Sequence, residues 1–475
     1  MIRETVNRLY HYQIIMKTKT GTINKKHIML AVLFAIYMSE YMICLICMDQ
    51  SAYPLEGSGA LFHYLKMPAL AAGFLLFPLS QKLGANIRTR QIMMLASNII
   101  FIAGMAGIME LFFKSGPTGY IISCAITLVS LGFLGGAVYY YYAMGHVGHA
   151  YIGRLSGIAG AAAFLIQMAV QYLIPANIAM LILLLAGFAF TTYLTFLSKE
   201  RFEWMFDEPL EYAQKGDPAL PGKMIIVAGC AAMIMLYMIN GLTDTIIISL
   251  SFSGDMSMYA WPRLFGAVGY LVGGFLADLG RRKWLMVCAL CMSIMSFPLP
   301  FMFQEGHVIT ATCHYYVIVV SQIVFLNVFF WDLAPKTSHP QLVAGLSRVL
   351  ACVCDVIHPA FSNTSVMTRI TIEVLLTAAV LLCIVLGGYI PVPYHKKQVN
   401  APDGSKLDEF AAAHGLTPRE KDFLICLIES DDDVSVIASN MNTSTRTVYR
   451  HINSIYEKTG TETRYSLMRY YYQSH

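Results

Sequence analysis

The feature that most limits this chain is a succession of long apolar stretches, twelve of them between Ile28 and Ile390. A bilayer core of about 30 Å takes about 20 helical residues. The runs lie near 28–48, 60–80, 92–113, 119–143, 151–173, 177–197, 224–246, 258–278, 284–303, 313–331, 341–362 and 370–390. Each is continuously apolar, whereas a lipid-facing barrel strand alternates with period two, so an all-α polytopic membrane protein of 12 transmembrane helices is expected. Only 13% of the 475 residues are charged, against roughly 25% in a soluble domain. That excludes an ordinary soluble enzyme.

Lys and Arg in the connections set the orientation. With the N-terminus inside, the inner connections hold Lys82, Arg88, Arg90, Arg154, Lys199, Arg201, Lys215, Lys223, Arg281, Arg282, Lys283 and Lys336, and the outer ones only Lys114 and Arg369. Residues 1–27 are basic, carry no small-residue cleavage site, and read as a cytoplasmic segment leading into the first span. An even number of spans returns the C-terminus to the same side. The longest internal connection, 198–223, is polar, contains Pro209, Pro218 and Pro221, and divides the spans into halves at 28–197 and 224–390.

Two six-span halves joined by a cytoplasmic linker resemble the major facilitator superfamily of transporters, whose halves rock about a central cavity. The segment Gly274-Phe-Leu-Ala-Asp278-Leu-Gly280-Arg281-Arg282-Lys283 is similar to that family's loop, Gly-x-x-x-Asp-Arg-x-Gly-Arg-Arg/Lys. It is one residue shorter between acid and glycine, and the matching loop of the first half, Gly73 to Arg90, keeps little beyond a basic end.

Ionisable groups inside hydrocarbon are costly, so each marks a cavity or a pair. Glu40 lies mid-span in the first run, with Lys66, Arg263 or Arg348 as candidate partners. Asp355 and His358 add polarity to the eleventh run, while Asn240, Asp244, Gln322 and Asn327 offer hydrogen bonds to a small ligand. The alternative is that these groups satisfy one another between helices. Tyr139 to Tyr142 read as part of the inner interfacial belt rather than an aromatic cage. Most of the 11 cysteines sit in apolar runs, and neither C-x-x-C pair (Cys44/Cys47, Cys288/Cys291) has a second ligand pair beside it. No metal or cofactor is expected.

After Ile390 the composition changes. A linker over 391–407 leads to a small helical module over 408–475. Thr417, Pro418 and Glu420 form a helix start with a capping box, and Asp433 can cap a second short helix ending at a turn at Asn442-Thr443. A third helix runs from the N-cap Ser444 to Lys458 before Gly460. Val448, Ile452 and Ile455 fall on its inner face, with Arg446, Tyr449, Arg450 and Asn453 on the other. Such side chains read guanine and adenine edges in a major groove.

The series Leu416-Thr-Pro-Arg-Glu420, Val436-Ile-Ala438, Ser444-Thr445-Arg-Thr447-Val-Tyr-Arg-His451 and Ile455-Tyr-Glu-Lys458-Thr-Gly460 resembles the LuxR-type DNA-binding domain. The resemblance implies that Thr447 contacts phosphate, that Val448 faces a base methyl or its neighbours, that Tyr449 and Arg450 point at DNA, and that a fourth helix over about 463–472 supplies a homodimer contact. It also places the chain in a bacterial inner membrane. From His395 onward ten Lys/Arg face eleven Asp/Glu, so non-specific DNA binding should be weak. The expected function is a membrane-bound one-component regulator, sensing a small molecule in the spans and controlling transcription through the tail. The rival is a secondary transporter with an autoregulatory tail. No catalytic constellation is found, and an enzyme is not expected.

Overall fold

The computed structural model describes residues 25–50, 66–83, 87–109, 116–146, 151–173, 177–192, 223–257, 259–282, 284–337, 339–358, 364–386, 404–429, 434, 437–438, 441, 443–461, 467 and 470–471. The basic N-terminal segment, the connection 198–222, Asp433, Asn442 and most of the fourth tail helix fall outside them. The chain divides into two compact units, a body over Met1–Ile390 and a tail over Pro391–His475.

Helix is the regular secondary structure of the body among its described residues. Its helices are α1 (Lys25–Gln50), α2 (Met67–Leu83), α3 (Ile87–Ile108), α4 (Gly116–Gly145), α5 (Ile152–Leu173), α6 (Asn177–Thr192) and α7 (Lys223–Phe252). They continue as α8 (Phe265–Ala277), α9 (Leu285–Met295), α10 (Leu299–Gln304), α11 (Val308–Leu333), α12 (Pro340–Ile357) and α13 (Val366–Leu386). Among the described residues eight helices are long and apolar enough to cross a membrane, and shorter apolar helices include Met67–Ser80, Leu95–Ile108 and Met180–Thr191. Exposed Ile99, Leu165, Leu173, Ile182 and Leu375 cover the outer surface, as lipid contact requires.

Two apolar runs differ from their expected form. The run near 258–278 begins as a 3-10 turn, Trp261–Leu264, where Pro262 lacks a backbone donor, and becomes α-helical only at Phe265. The run near 284–303 is two helices, α9 and α10, separated by turn residues 296–298, with Pro298 and Pro300 at the break.

Small residues decide which helices approach closely. Gly153, Gly157 and Gly160 of α5 face Tyr270, Gly274 and Ala277 of α8, and a Cβ at Gly157 would stand 2.5 Å from the Tyr270 carbonyl. Gly73 of α2 and Gly132 of α4 make an equivalent crossing. Helix α2 also packs on α12, where Gly345 lies beside Phe74. Tyr139 to Tyr142 are all buried, which corrects the interfacial-belt expectation. Tyr139 and Tyr142 instead crowd Phe34 and Trp331, with ring centroids 4.5–5.6 Å apart. A four-tyrosine run on one helix cannot face a single side at 100° per residue, and here every side meets protein.

The tail has its own core of Leu407, Phe410, Phe423, Leu424, Leu427, Ile437, Val448, Ile452, Ile455 and Leu467. Three helices supply most of it: α14 (Gly404–Ala413), α15 (Pro418–Glu429) and α16 (Thr445–Thr459). The capping box at α15 forms as the sequence expects: the Glu420 carboxylate accepts from the Thr417 amide at 2.7 Å, and the Glu420 amide donates to Thr417 Oγ1 at 3.3 Å. Ser444 caps α16 by accepting from the Thr447 amide, and Gly460 ends it at φ 67°, a left-handed turn suited to glycine.

Candidate functional site

A cavity of about 230 Å³ lies within the body, just under the roughly 300–1,000 Å³ of drug-sized ligand sites. Helical stripes build its walls. On α7 the lining residues are Tyr237, Asn240, Gly241, Asp244, Ile247 and Ile248, and on α12 they are Arg348, Ala351, Asp355 and the cap residue His358. Both sets step by three or four residues, the spacing of one helix face. Met38, Tyr41, Met42 and Leu45 make the same stripe on α1, and Tyr315, Tyr316, Val319, Val320 and Ile323 line the α11 side.

Five of the nine expected ligand residues meet here: Asn240, Asp244, Arg263, Arg348 and Asp355. The Tyr315 hydroxyl donates to Asp244 at 2.9 Å. Arg263 lies between the rings of Phe164 and Tyr259, 5.5 and 5.0 Å from their centroids, with its buried Nε unpartnered. The Arg348 guanidinium sits 4.4 Å over Tyr41. Asp355 lies 3.4 Å from His358 Nδ1, and His358 is seated against Gly241, where a Cβ would fall 1.9 Å from its ring. Only a glycine lets that imidazole reach α7.

The other four expected residues are elsewhere. Glu40 is two positions from Met38, hence about 200° round the helix, and faces α6. There Thr191 donates to it at 3.1 Å, Gly187 gives it room, and its Oε2 has no partner. Lys66 is ion-paired with Asp49, which also accepts from the Tyr259 hydroxyl. Neither Lys66, Arg263 nor Arg348 pairs with Glu40. Gln322 donates to Ser293 at 3.1 Å, and Asn327, one turn beyond the cavity, accepts from Ser347 at 2.8 Å. These two bond between helices, the alternative weighed from sequence, although the buried Gln322 Oε1 has no partner.

Several groups of the cavity wall were not singled out by the sequence, whereas the Asp278 loop was. Tyr41, Tyr237, Tyr270, Tyr315 and Tyr316 wall the cavity, and their helical spacing with the charged positions was the available signal. Asp278 stands at the end of α8 and accepts from the first amides of α5, Gly153 at 2.9 Å and Arg154 at 2.7 Å. A carboxylate on a helix N-terminus meets free N–H groups and the positive end of the dipole. The following loop turns at Gly280 (φ 57°), and Arg282 pairs with Asp332 at 2.5 Å.

The second surface is α16 of the tail. Thr445, Arg446, Tyr449, Arg450 and Asn453 are exposed, and Thr447 is half-buried with its hydroxyl 2.8 Å from Ser444. Val448 is 0% exposed and belongs to the core, which corrects its expected role at a base methyl: packing on α15 takes the side chain away from the outer face. Behind this surface Glu420 ties two helices together, accepting from Lys458 at 2.6 Å and Ser454 at 2.5 Å as well as from Thr417. Desolvation opposes its charge, but the donors from Lys458, Ser454 and Thr417 outweigh it and bring the carboxyl down to about 2.

Residues 414–471 match the family of bacterial regulatory proteins of the luxR type. The fold is similar to that of the human organic anion transporter MFSD10, with TM-score 0.52 and 14% identity, covering 77% of this chain and 100% of that one. The E. coli fucose:proton symporter FucP is also similar, with TM-score 0.48 and 11% identity over 77% of this chain and 97% of that one. Among curated protein sequences there is no match. The chain thus joins a LuxR-type DNA-binding domain to a membrane body of transporter-like fold.

Proposed function

We propose that this protein is a membrane-bound one-component transcription regulator, in which occupation of the body's cavity changes how the tail engages DNA. In this reading the body crosses a bacterial inner membrane twelve times as two six-helix halves, with both termini cytoplasmic and the tail binding operators as a homodimer. The carrying observation is that one chain holds both a cavity with charged, incompletely partnered walls and a helix that exposes Arg446, Arg450 and Asn453. Charges kept in a membrane interior mark function, and exposed Arg and Asn on a capped helix suit base edges.

Ligand shifts an equilibrium only by its difference in affinity for two states. The Asp278 carboxylate on the α5 amides supports one such state, because separating α5 from α8 at that end would strand a charge and two donors. Movement there passes to the tail through the chain itself, and anchoring of the tail limits operator search to loci near the membrane.

Capture of DNA bound to full-length protein in cells tests the reading. Wild type should return a defined set of promoters, and Arg450→Ala should empty it, since one bidentate base contact is worth about 1–3 kcal/mol. Equal occupancy by the variant, at equal membrane abundance, would overturn the assignment. A transporter reading is favoured by one observation, the buried Glu40 with an unpartnered oxygen beside Gly187. Ligand accumulation in vesicles that Glu40→Gln abolishes would select it.

A further inference from the structure

Resting on the reading of the cavity as the sensing site, we propose that its ligand is a small amphoteric molecule, with an acid at one end, an amine at the other and an apolar or aromatic body between. The Arg348 guanidinium lies over the Tyr41 ring, 4.4 Å from its centroid, on the wall of the cavity. Among the described residues it has no hydrogen bond and no ion pair. A cation held in a membrane interior without an anion is costly, and the planar fork of five donors fits a carboxylate.

The same helix face carries the opposite sign. Asp355 stands seven residues beyond Arg348 on α12, which is roughly 10 Å along the axis and about 20° round it. Among the described residues its ion-pair contact is His358, which approaches to 3.4 Å without hydrogen-bond geometry. Asp244 joins from α7, holding the Tyr315 hydroxyl with one oxygen and leaving the other without a protein partner among the described residues. Arg263 lies within electrostatic reach of Asp244 and offsets part of this end. Arg348 likewise lies within electrostatic reach of Asp355 without forming an ion pair, so one carboxylate at this end and the guanidinium at the other each lack a contacting counter-ion among the described residues. A monoanion would satisfy Arg348 alone, and a monocation the aspartates alone. Tyr41, Tyr237, Tyr270, Tyr316 and Phe164 wall the space between, which suits an apolar or aromatic body.

Full-length protein in lipid nanodiscs provides the test, with thermal unfolding and calorimetry as readouts. The probes are 4-(aminomethyl)benzoate beside benzoate and benzylamine, and 6-aminohexanoate beside hexanoate and hexylamine. At least one amphoteric probe should bind tenfold or more tightly than both of its halves. Arg348→Gln should lower that probe to the level of its amine half, and Asp355→Asn to the level of its acid half. Arg348→Lys keeps the charge, reports on folding, and should retain part of the preference for the acid. Halves that bind as well as the whole, or no binding by any of the six, overturn the proposal. Promoter output is read separately. A singly charged probe that binds through Arg348 and changes output removes the amphoteric class while sensing stands. An amphoteric probe that binds without moving output removes sensing while the class stands.

Discussion

Glu420 in the tail and Arg348 in the body are both charged groups held among apolar side chains, and they are treated in opposite ways. The carboxylate receives donors from Thr417, Ser454 and Lys458, whereas the guanidinium lies over one aromatic ring and has no hydrogen bond or ion pair among the described residues. A polar group fully answered by its own chain fixes a fold, and one left unanswered is available to something else. The tail therefore spends its buried polarity on structure and keeps the groups proposed to meet DNA outside on α16. The body encloses the groups proposed to meet a ligand and presents an apolar exterior.

The contrast can be broken most severely at Val448. Val448→Asp places an unpaired charge in the tail core at a cost of about 4 kcal/mol or more. Amide exchange in full-length protein should then show α15 and α16 unprotected while the body keeps its protection; a tail that stayed folded would remove Val448 from the core.

Glu420→Ala leaves Lys458, Ser454 and the Thr417 amide short of their acceptor and should cost about 2–3 kcal/mol, read as faster exchange in α16. Acid sharpens the same point. A carboxyl near 2 when folded, against about 4.3 when unfolded, contributes stability that is complete above the unfolded value and lost as pH falls through 4 towards 2. Tail stability should decline in that window for wild type, and far less for Glu420→Ala.

In the body, Gly241→Ala would drive a methyl into the His358 ring and should cost about 1–3 kcal/mol as overpacking. Thermal unfolding of the body should register it with no change in α16. The smallest effect is expected from Ser444→Ala, about 1 kcal/mol for a lost N-cap. Operator affinity should weaken with it, because a fraying first turn carries Thr445 and Arg446.

Legibility followed the same division. Helices α15 and α16 of the tail were readable to within a residue because caps are local: Thr417, Glu420, Ser444 and Gly460 each act within a few positions, whereas α14 begins at Gly404 inside the stretch read as linker. In the body, helix and apolar face were readable, but neighbours were not, since two spans far apart in sequence meet through shape rather than through any local code. Stripe arithmetic alone separates Glu40 from Tyr41 and Met38 on α1. It needs to be known first which stripe faces the cavity, and only the packing of α7, α11 and α12 around it decides that. Asp49, at the end of an apolar run, gave no sign of its bond to Tyr259, 210 residues away.

The glycine crossing of α5 and α8 has a mechanical meaning. Two rods that touch main chain to main chain present smooth tracks to each other, with few protruding knobs to lift over when one glides along the other. Prying them apart is harder, because the crevice so opened is too narrow for an acyl chain to fill. Such a seam is a bearing: it permits slip and resists gaping, and a single added methyl at Gly157 would act on it like grit.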